Sequence, residues 1–346
     1  MNIEEIKIRQ LENQHLLSPA SCGAVVRDLC GVQAQYLSNA FHAIRIRSRR
    51  FQGEDAKDLM KSWTIRGTMH VFAADDLPLF LHEGRKRFLR PCDTLEGDDR
   101  VTRERKRYFA DLIESSICAG MTAREELRAI CLQNGMTEEE AESVFNAWGG
   151  TIRALCEAGR ICYAVPEQGE KRAYRLCPPF TPMEADAARL ELARRYFTFY
   201  GPATVNDAAY FFAATQTDIK QQLSMLPVSS FSCNGKTYFY IARQRNECLS
   251  MPKCLFLAGF DPLMLGYQKT ESLYLPQKHL RKIFTLSGIV MPAVLLDGFV
   301  AGRWKQKGAG LAVTLFEPVP PAQKQHMEEC AHALWPSLKR ITFAEA

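Results

Sequence analysis

Hydrophobic and polar positions follow a helical period over much of the chain and give way to short strand-like runs punctuated by Gly and Pro towards its end. Ile3, Ile6, Ile8, Leu11 and Leu16 predict an amphipathic helix over residues 3–17. Ser18-Pro19 is a start signal for a second helix, with Ala24, Val25, Leu29 and Val32 on one face. Residues 43–50, with alternating Ile and Arg, fit a short strand or part of a helix. Residues 54–62 are expected to be helical. Trp63–Phe72 suits a strand or tight hairpin, because Thr, Ile, Val and Phe favour strands and Gly67 permits a kink. Three helices and a strand pair make the outline of a winged helix, assigned to residues 1–90. Asp75-Asp76-Leu77-Pro78 is expected to start one more helix on an acidic cap.

The same plan recurs twice. Residues 85–107, rich in Arg and Lys, are expected to be a linker. A second unit is placed at 104–180. It has a helix over 108–119, a capping-box pattern in Thr122 and Glu125, a helix over 138–157 ending at Gly159, and strands at 160–165 and 171–176. A third, at 184–245, has helices over 184–200 and 217–226 with one between them. A hairpin then turns on Asn234-Gly235, a strong short-range hairpin signal. Residues 250–346 read as a β-rich subdomain with strands at 254–257, 288–296, 299–305 and 310–316, a turn at Leu296-Asp297-Gly298-Phe299, and a closing helix over 321–338. The predicted class is α+β, mostly helical, with three tandem winged-helix units and a β-rich end.

Composition narrows this little. The 346 residues suggest two or three domains, and 47% hydrophobic with 24% charged residues is ordinary for a globular protein. A net charge of +5 is compatible with nucleic acid without implying it. The start Met1-Asn2-Ile3-Glu4-Glu5 lacks a signal-peptide pattern, and no apolar run nears the roughly 20 residues of a membrane span. The expectation is a cytoplasmic protein without a membrane partner. The 12 cysteines include no pair at zinc-finger spacing, so reduced, mostly buried thiols are expected and no metal.

The stretch with unusual chemistry is Leu29-Cys30-Gly31-Val32-Gln33-Ala34-Gln35-Tyr36-Leu37. Glutamines do not titrate, so Gln33 and Gln35 cannot act as acid or base. Each amide can orient a water, a base edge or a backbone group through two donors and an acceptor. In isolation the pair would simply end an amphipathic helix. Arg45 and Arg47 form either a solvated face or a row of phosphate contacts. Arg66 and Arg303 are surface charge or phosphate contacts in the same sense. His70 is either a satisfied core histidine or a DNA-holding residue beside the glutamines. Asp261, in Phe260-Asp261-Pro262, fits a turn-forming carboxylate more simply than a general base.

Four blocks occur in order: Gly31-Val32-Gln33-Ala34-Gln35; Arg66-Gly67-Thr68-Met69-His70; Ala258 to Tyr267; and Gly288 to Gly298. Together they resemble the AlkZ-like family of bacterial DNA glycosylases, also catalogued as a winged-helix DNA-binding family. The resemblance implies three winged helices and a β-rich part arranged as a C-shaped clamp on DNA, acting as a monomer without a cofactor. It implies a monofunctional glycosylase releasing N7-alkylated purines from double-stranded DNA, including those in interstrand crosslinks. The family signature is Gln-apolar-Gln, or Gln-apolar-Asp in another branch. Gln33 and Gln35 match the first form and are by resemblance the catalytic pair.

Two neutral amides suit that chemistry. An N7-alkylguanine is already cationic, so its glycosidic bond is weakened and the leaving base needs no general acid. What remains is to place a water and stabilise an oxocarbenium-like sugar, which dipoles can do. The rival expectation is a non-catalytic winged-helix DNA-binding protein or transcription regulator, since fold alone does not fix function.

Overall fold

A computed structural model describes all residues except 52–54, 56–57, 167–172, 244–248 and 346. The chain divides into two compact units, one of residues 1–51 with 189–346 and one of residues 52–188. The division cuts the stretch 1–90 in two.

Unit one starts with α1 (Ile3–Asn13), opened by a capping box in which Asn2 and Glu5 exchange side-chain–backbone hydrogen bonds of 2.9 Å. Next, α2 (Cys22–Asp28) is capped by Ser21 and not by Ser18. The Ser18-Pro19 signal fails because that segment is pinned to a neighbour. The Pro19 carbonyl accepts from Arg49 Nε at 3.0 Å, and Ala20 forms a parallel bridge to Ser48. A two-residue strand β1 (Val32–Gln33) follows, then α3 (Leu37–Arg45), which takes in the start of the Ile/Arg alternation.

Unit two corrects several expectations. Its β2 (Leu59–Trp63) takes up the later part of residues 54–62, expected to be helical, and continues into Trp63. β2 pairs antiparallel with β3 (Met69–Ala73), Ser62 opposite His70, and with a later strand on its other side. Two-sided pairing of this kind overrides local preference. After the short α4 (Leu77–Phe80), whose N-cap Asp76 makes no side-chain capping bond, comes α5 (Arg103–Cys118). The segment expected as a linker is packed. Asp93 and Lys106 are fully buried, Lys106 Nζ lies 2.8 Å from Asp98, and Asp93 takes Arg90 at 2.9 Å and Arg153 at 3.5 Å. In α6 (Arg124–Gln133) the capping carboxylate is Glu126, which accepts from Ala123 N–H at 3.1 Å, one residue on from the expected pair.

The expected helix over 138–157 is two, α7 (Glu138–Val144) and α8 (Thr151–Glu157). The break falls at Gly150, whose φ is 71° and where a Cβ would stand 2.3 Å from the Ser143 carbonyl. Strands β4 (Ile161–Tyr163) and β5 (Tyr174–Leu176) complete an antiparallel array in the order β3-β2-β4-β5. Lys171 and Arg172, expected in this hairpin, lie outside the described residues. Phe109, Ile113, Leu127, Val144, Leu155 and Tyr174 form part of the core of this unit.

The chain returns to unit one through α9 (Ala185–Phe199), α10 (Val205–Phe212) and α11 (Gln216–Ser224), close to expectation. The hairpin β6 (Ser229–Cys233) and β7 (Lys236–Tyr240) turns on Asn234 and Gly235 with φ of 47° and 73°. Then come β8 (Cys254–Phe256), the single-turn α12 (Pro262–Leu265) and α13 (Leu280–Ile283), β9 (Ala293–Leu296), β10 (Phe299–Lys307), β11 (Gly310–Leu315), α14 (Pro321–Leu334) and β12 (Arg340–Glu345). The sheet order is β12-β11-β10-β9-β8. The unexpected β12 runs parallel to β11 after a crossover through α14, whose Met327 and Ala331 pack with Phe256, Val294 and Val313. Residues 288–292 precede β9 and are not strand.

Among the described residues no helix is long and apolar enough to cross a membrane. The described cysteines are free thiols, except that Cys248 falls outside them.

Candidate active site in unit one

Gln33 and Gln35 sit on the connection from α2 to α3. That connection is built by a left-handed exit from α2: Cys30 and Gly31 have φ of 55° and 75°, and Gly31 N–H reaches back to the Val26 carbonyl at 2.8 Å. Gly31 carries such a φ without steric cost, whereas Cys30 is held there by its neighbours. The chain then runs extended through Gln33, which is 8% exposed. Ala34 is fully buried, Gln35 half-buried and Tyr36, the N-cap of α3, 41% exposed. Polarity thus increases in accessibility along the segment, with the alanine as its anchor.

Side chains far away in sequence brace both ends. On the α2 side, Tyr200 Oη donates to the Leu29 carbonyl at 3.0 Å and Arg195 Nη1 to the Arg27 carbonyl at 3.1 Å. Tyr200 is locked in turn, its carbonyl accepting from Tyr267 Oη at 2.8 Å, and Tyr267 Oη accepts from Gln14 Nε2 at 2.9 Å. On the α3 side, Arg47 and Asp261 form a fully buried bidentate pair with distances of 2.6 and 3.1 Å. Arg47 Nη1 also donates to the Ala43 carbonyl at 3.0 Å, which satisfies the C-terminal end of α3. Asp261 accepts from Ala258 N–H at 3.1 Å and Leu263 N–H at 2.9 Å, so it closes the turn and caps α12. It is a structural carboxylate and not a base.

His42, on α3, donates from Nε2 to the Phe256 carbonyl at 2.8 Å and stacks on Trp335 with ring centroids 5.4 Å apart. Burial lowers its pKa, opposed by that backbone hydrogen bond. At Gly259 a Cβ would lie 2.6 Å from Asn39 Nδ2, so the loop packs closely on the Asn39 side chain of α3.

The remaining candidates fare differently. Arg47 is removed from the set of phosphate contacts, because its guanidinium is 0% exposed and spent on Asp261 and Ala43. Arg45, at the end of α3, is exposed. Arg303, on β10 opposite Thr314 and Ala293, is half-exposed. Arg66 and His70 belong to unit two, in the β2–β3 hairpin. His70 is 1% exposed. Arg66 Nη2 lies 3.0 Å from its Nε2, and since a guanidinium can only donate, Nε2 is the acceptor and Nδ1 carries the proton. Nδ1 is 2.8 Å from Thr64 Oγ1 and 3.2 Å from the Thr68 carbonyl. Burial, then the Arg66 charge, push the His70 pKa down to about 3. His70 is the satisfied core histidine. Arg66 itself takes a φ of 63° and is half-buried.

The profile of the DNA glycosylase AlkZ-like family matches residues 26–336. The chain belongs to that family. As an AlkZ-like protein it is a DNA glycosylase, an enzyme acting on DNA. It is similar to an interstrand DNA cross-link repair glycosylase of Streptomyces sahachiroi, 25% identical over 341 residues, which span 88% of this chain and 89% of the relative. Its fold is similar to the solved structure of the Streptomyces sahachiroi DNA glycosylase AlkZ, with a TM-score of 0.74, 20% identity and 100% of each chain covered.

Nothing in the sequence marks Tyr200 or His42 as supports of the glutamines. One signal for Asp261 was present: Phe260-Asp261-Pro262 is a capping sequence, though its partner Arg47 is invisible without the fold.

Proposed function

We propose that this AlkZ-like glycosylase is monofunctional, hydrolyses the N-glycosidic bond of N7-alkylated purines in double-stranded DNA, and uses Gln33 and Gln35 as its catalytic pair. The observation that carries the assignment is the bracing of the Gln-Ala-Gln segment from both sides, with Gln33 nearly buried and Gln35 half open. Polar groups held in this way are pre-organised, and that is what a reaction driven by dipoles and positioning needs.

In the reaction, water attacks C1′ as the C1′–N9 bond breaks. The bonding electron pair goes to the base, which leaves neutral because it started as a cation. Gln35, the more accessible amide, orients the water through its carbonyl, and the proton passes on to solvent. Gln33 turns its dipole to the positive charge that develops on the sugar. Neither amide changes protonation state.

Among the described residues no group of three His, Cys, Asp or Glu is placed to hold a metal ion. Arg45, Arg66 and Arg303 are the proposed phosphate contacts, giving affinity without sequence preference. The three winged helices, at 1–90, 104–180 and 184–245, with the β-rich part at 250–346, would form a monomeric C-shaped clamp. A lesion tethered to the opposite strand cannot enter a deep pocket, so a half-open site also suits crosslinks, the substrate class in the relative's name. Unhooking of interstrand crosslinks is therefore included in the proposal.

The test is conversion of an N7-methylguanine duplex to abasic sites, with and without EDTA. Abasic product without strand scission, unaffected by chelator, is expected. Intact DNA, or activity lost in chelator and restored by zinc or magnesium, would overturn the proposal.

A further inference from the structure

We propose that Tyr36 reads the charge of the lesion: the face of its ring takes the cationic purine and so separates an N7-alkylated base from a neutral one. This rests on the assignment of Gln33 and Gln35 to catalysis and names the selectivity element of that site.

Residues 33–36 are Gln, Ala, Gln and Tyr, all uncharged. An N7-alkylguanine differs from guanine by an alkyl group and a positive charge, so the segment must answer that charge with dipoles or with a π face. Tyr36 follows Gln35 directly and is 41% exposed, one of few large apolar side chains left open to solvent. Its side chain makes no capping bond to α3, so starting that helix does not explain its position. Phe260 backs it, with ring centroids 6.0 Å apart and a 30° tilt. Phe260 is itself 3% exposed, and its N–H donates to the Val290 carbonyl at 3.1 Å. The tyrosine is thus an aromatic surface on a buried support, next in sequence to the half-open amide. The electron-rich face of such a ring attracts a cation, and stacking on it tolerates any purine outline.

The experiment measures binding and not bond cleavage. The full chain is titrated with two duplexes, one carrying 2′-fluoro-N7-methylguanosine, which is cationic and resists base loss, and one carrying 7-methyl-7-deazaguanosine, its neutral counterpart of the same outline. The cationic duplex should bind tighter by between about twofold and about thirtyfold, the range of a cation–π contact from exposed to desolvated. Tyr36→Leu should bring the two dissociation constants together with little change for the neutral duplex, while Tyr36→Phe keeps the preference. Pentafluorophenylalanine at position 36 has the outline of Phe with the polarity of the face reversed, and should abolish or invert it. That variant decides the matter if Tyr36→Leu fails to fold. Equal affinities in the parent, or a preference that survives both replacements, would overturn the proposal. Alanine variants of Gln33 and Gln35 that still release base would defeat the catalytic assignment separately, because no excision enters this readout.

Discussion

The Gln33–Gln35 connection in unit one and the Arg66–His70 hairpin in unit two are equally conspicuous in the sequence, and the fold uses them in opposite ways. In the hairpin it is the histidine that is satisfied from within: Arg66 donates to it from one guanidinium nitrogen, and it is hydrogen-bonded to Thr64 and Thr68. In the connection the fold spends other residues, Tyr200, Arg195, Asp261 and His42, to hold the backbone and α3. Gln35 is left half open between these supports. A polar group whose hydrogen bonds are consumed inside the core stabilises the fold. A polar group on a rigid support, near the surface, is available for chemistry.

The contrast can be broken at its supports. The largest expected effect is on stability: Asp261→Ala leaves Arg47 buried without its partner and should cost about 3–5 kcal/mol in urea unfolding. A loss below about 1 kcal/mol, the scale of a surface pair, would mean that the pair does not brace α3.

Next comes pH. The His70 pKa is lowered from the ordinary 6.5 to about 3, so the unfolded chain binds a proton that the folded chain refuses between those values. The stability contributed by neutral His70 is therefore complete above pH 6.5 and is lost as pH falls towards 3. The slope should reach about 1.4 kcal/mol per pH unit for this one proton. Unfolding at a series of pH values, parent against His70→Asn, should show that slope shrinking in the variant. An identical slope in both would place the histidine in contact with solvent.

A smaller effect belongs to Thr64→Val, which removes the 2.8 Å partner of Nδ1 but leaves the Thr68 carbonyl at 3.2 Å. A loss of about 1 kcal/mol is expected by urea titration, because the ring donor keeps an acceptor.

Legibility in the sequence followed the range of the interactions. The Asn234-Gly235 hairpin was readable because the turn that decides it is local. The strand at 59–63 was not, because its identity depends on β3 and β4 pairing from either side. The break between α7 and α8 is signalled in the sequence only by Gly149-Gly150, where the Ser143 carbonyl leaves no room for a Cβ. Strand β12 exists only because β11 offers it an edge. The site divides in the same way. Gln33 and Gln35 stood out by motif, whereas Arg47 looked like its exposed neighbour Arg45 and is instead the buried partner of a residue 214 positions away. Charge alone does not distinguish an arginine that meets DNA from one that holds a helix.

The most direct test is single-turnover release of N7-methylguanine by Gln33→Ala and Gln35→Ala, with duplex affinity measured beside it. Each substitution should slow release by about 10²–10³, the usual loss for one aligned polar group, while affinity, carried by phosphate contacts, changes little. Gln35→Asp should keep part of the activity and gain a pH dependence that the two amides lack. Release at the parental rate in both alanine variants would contradict the account.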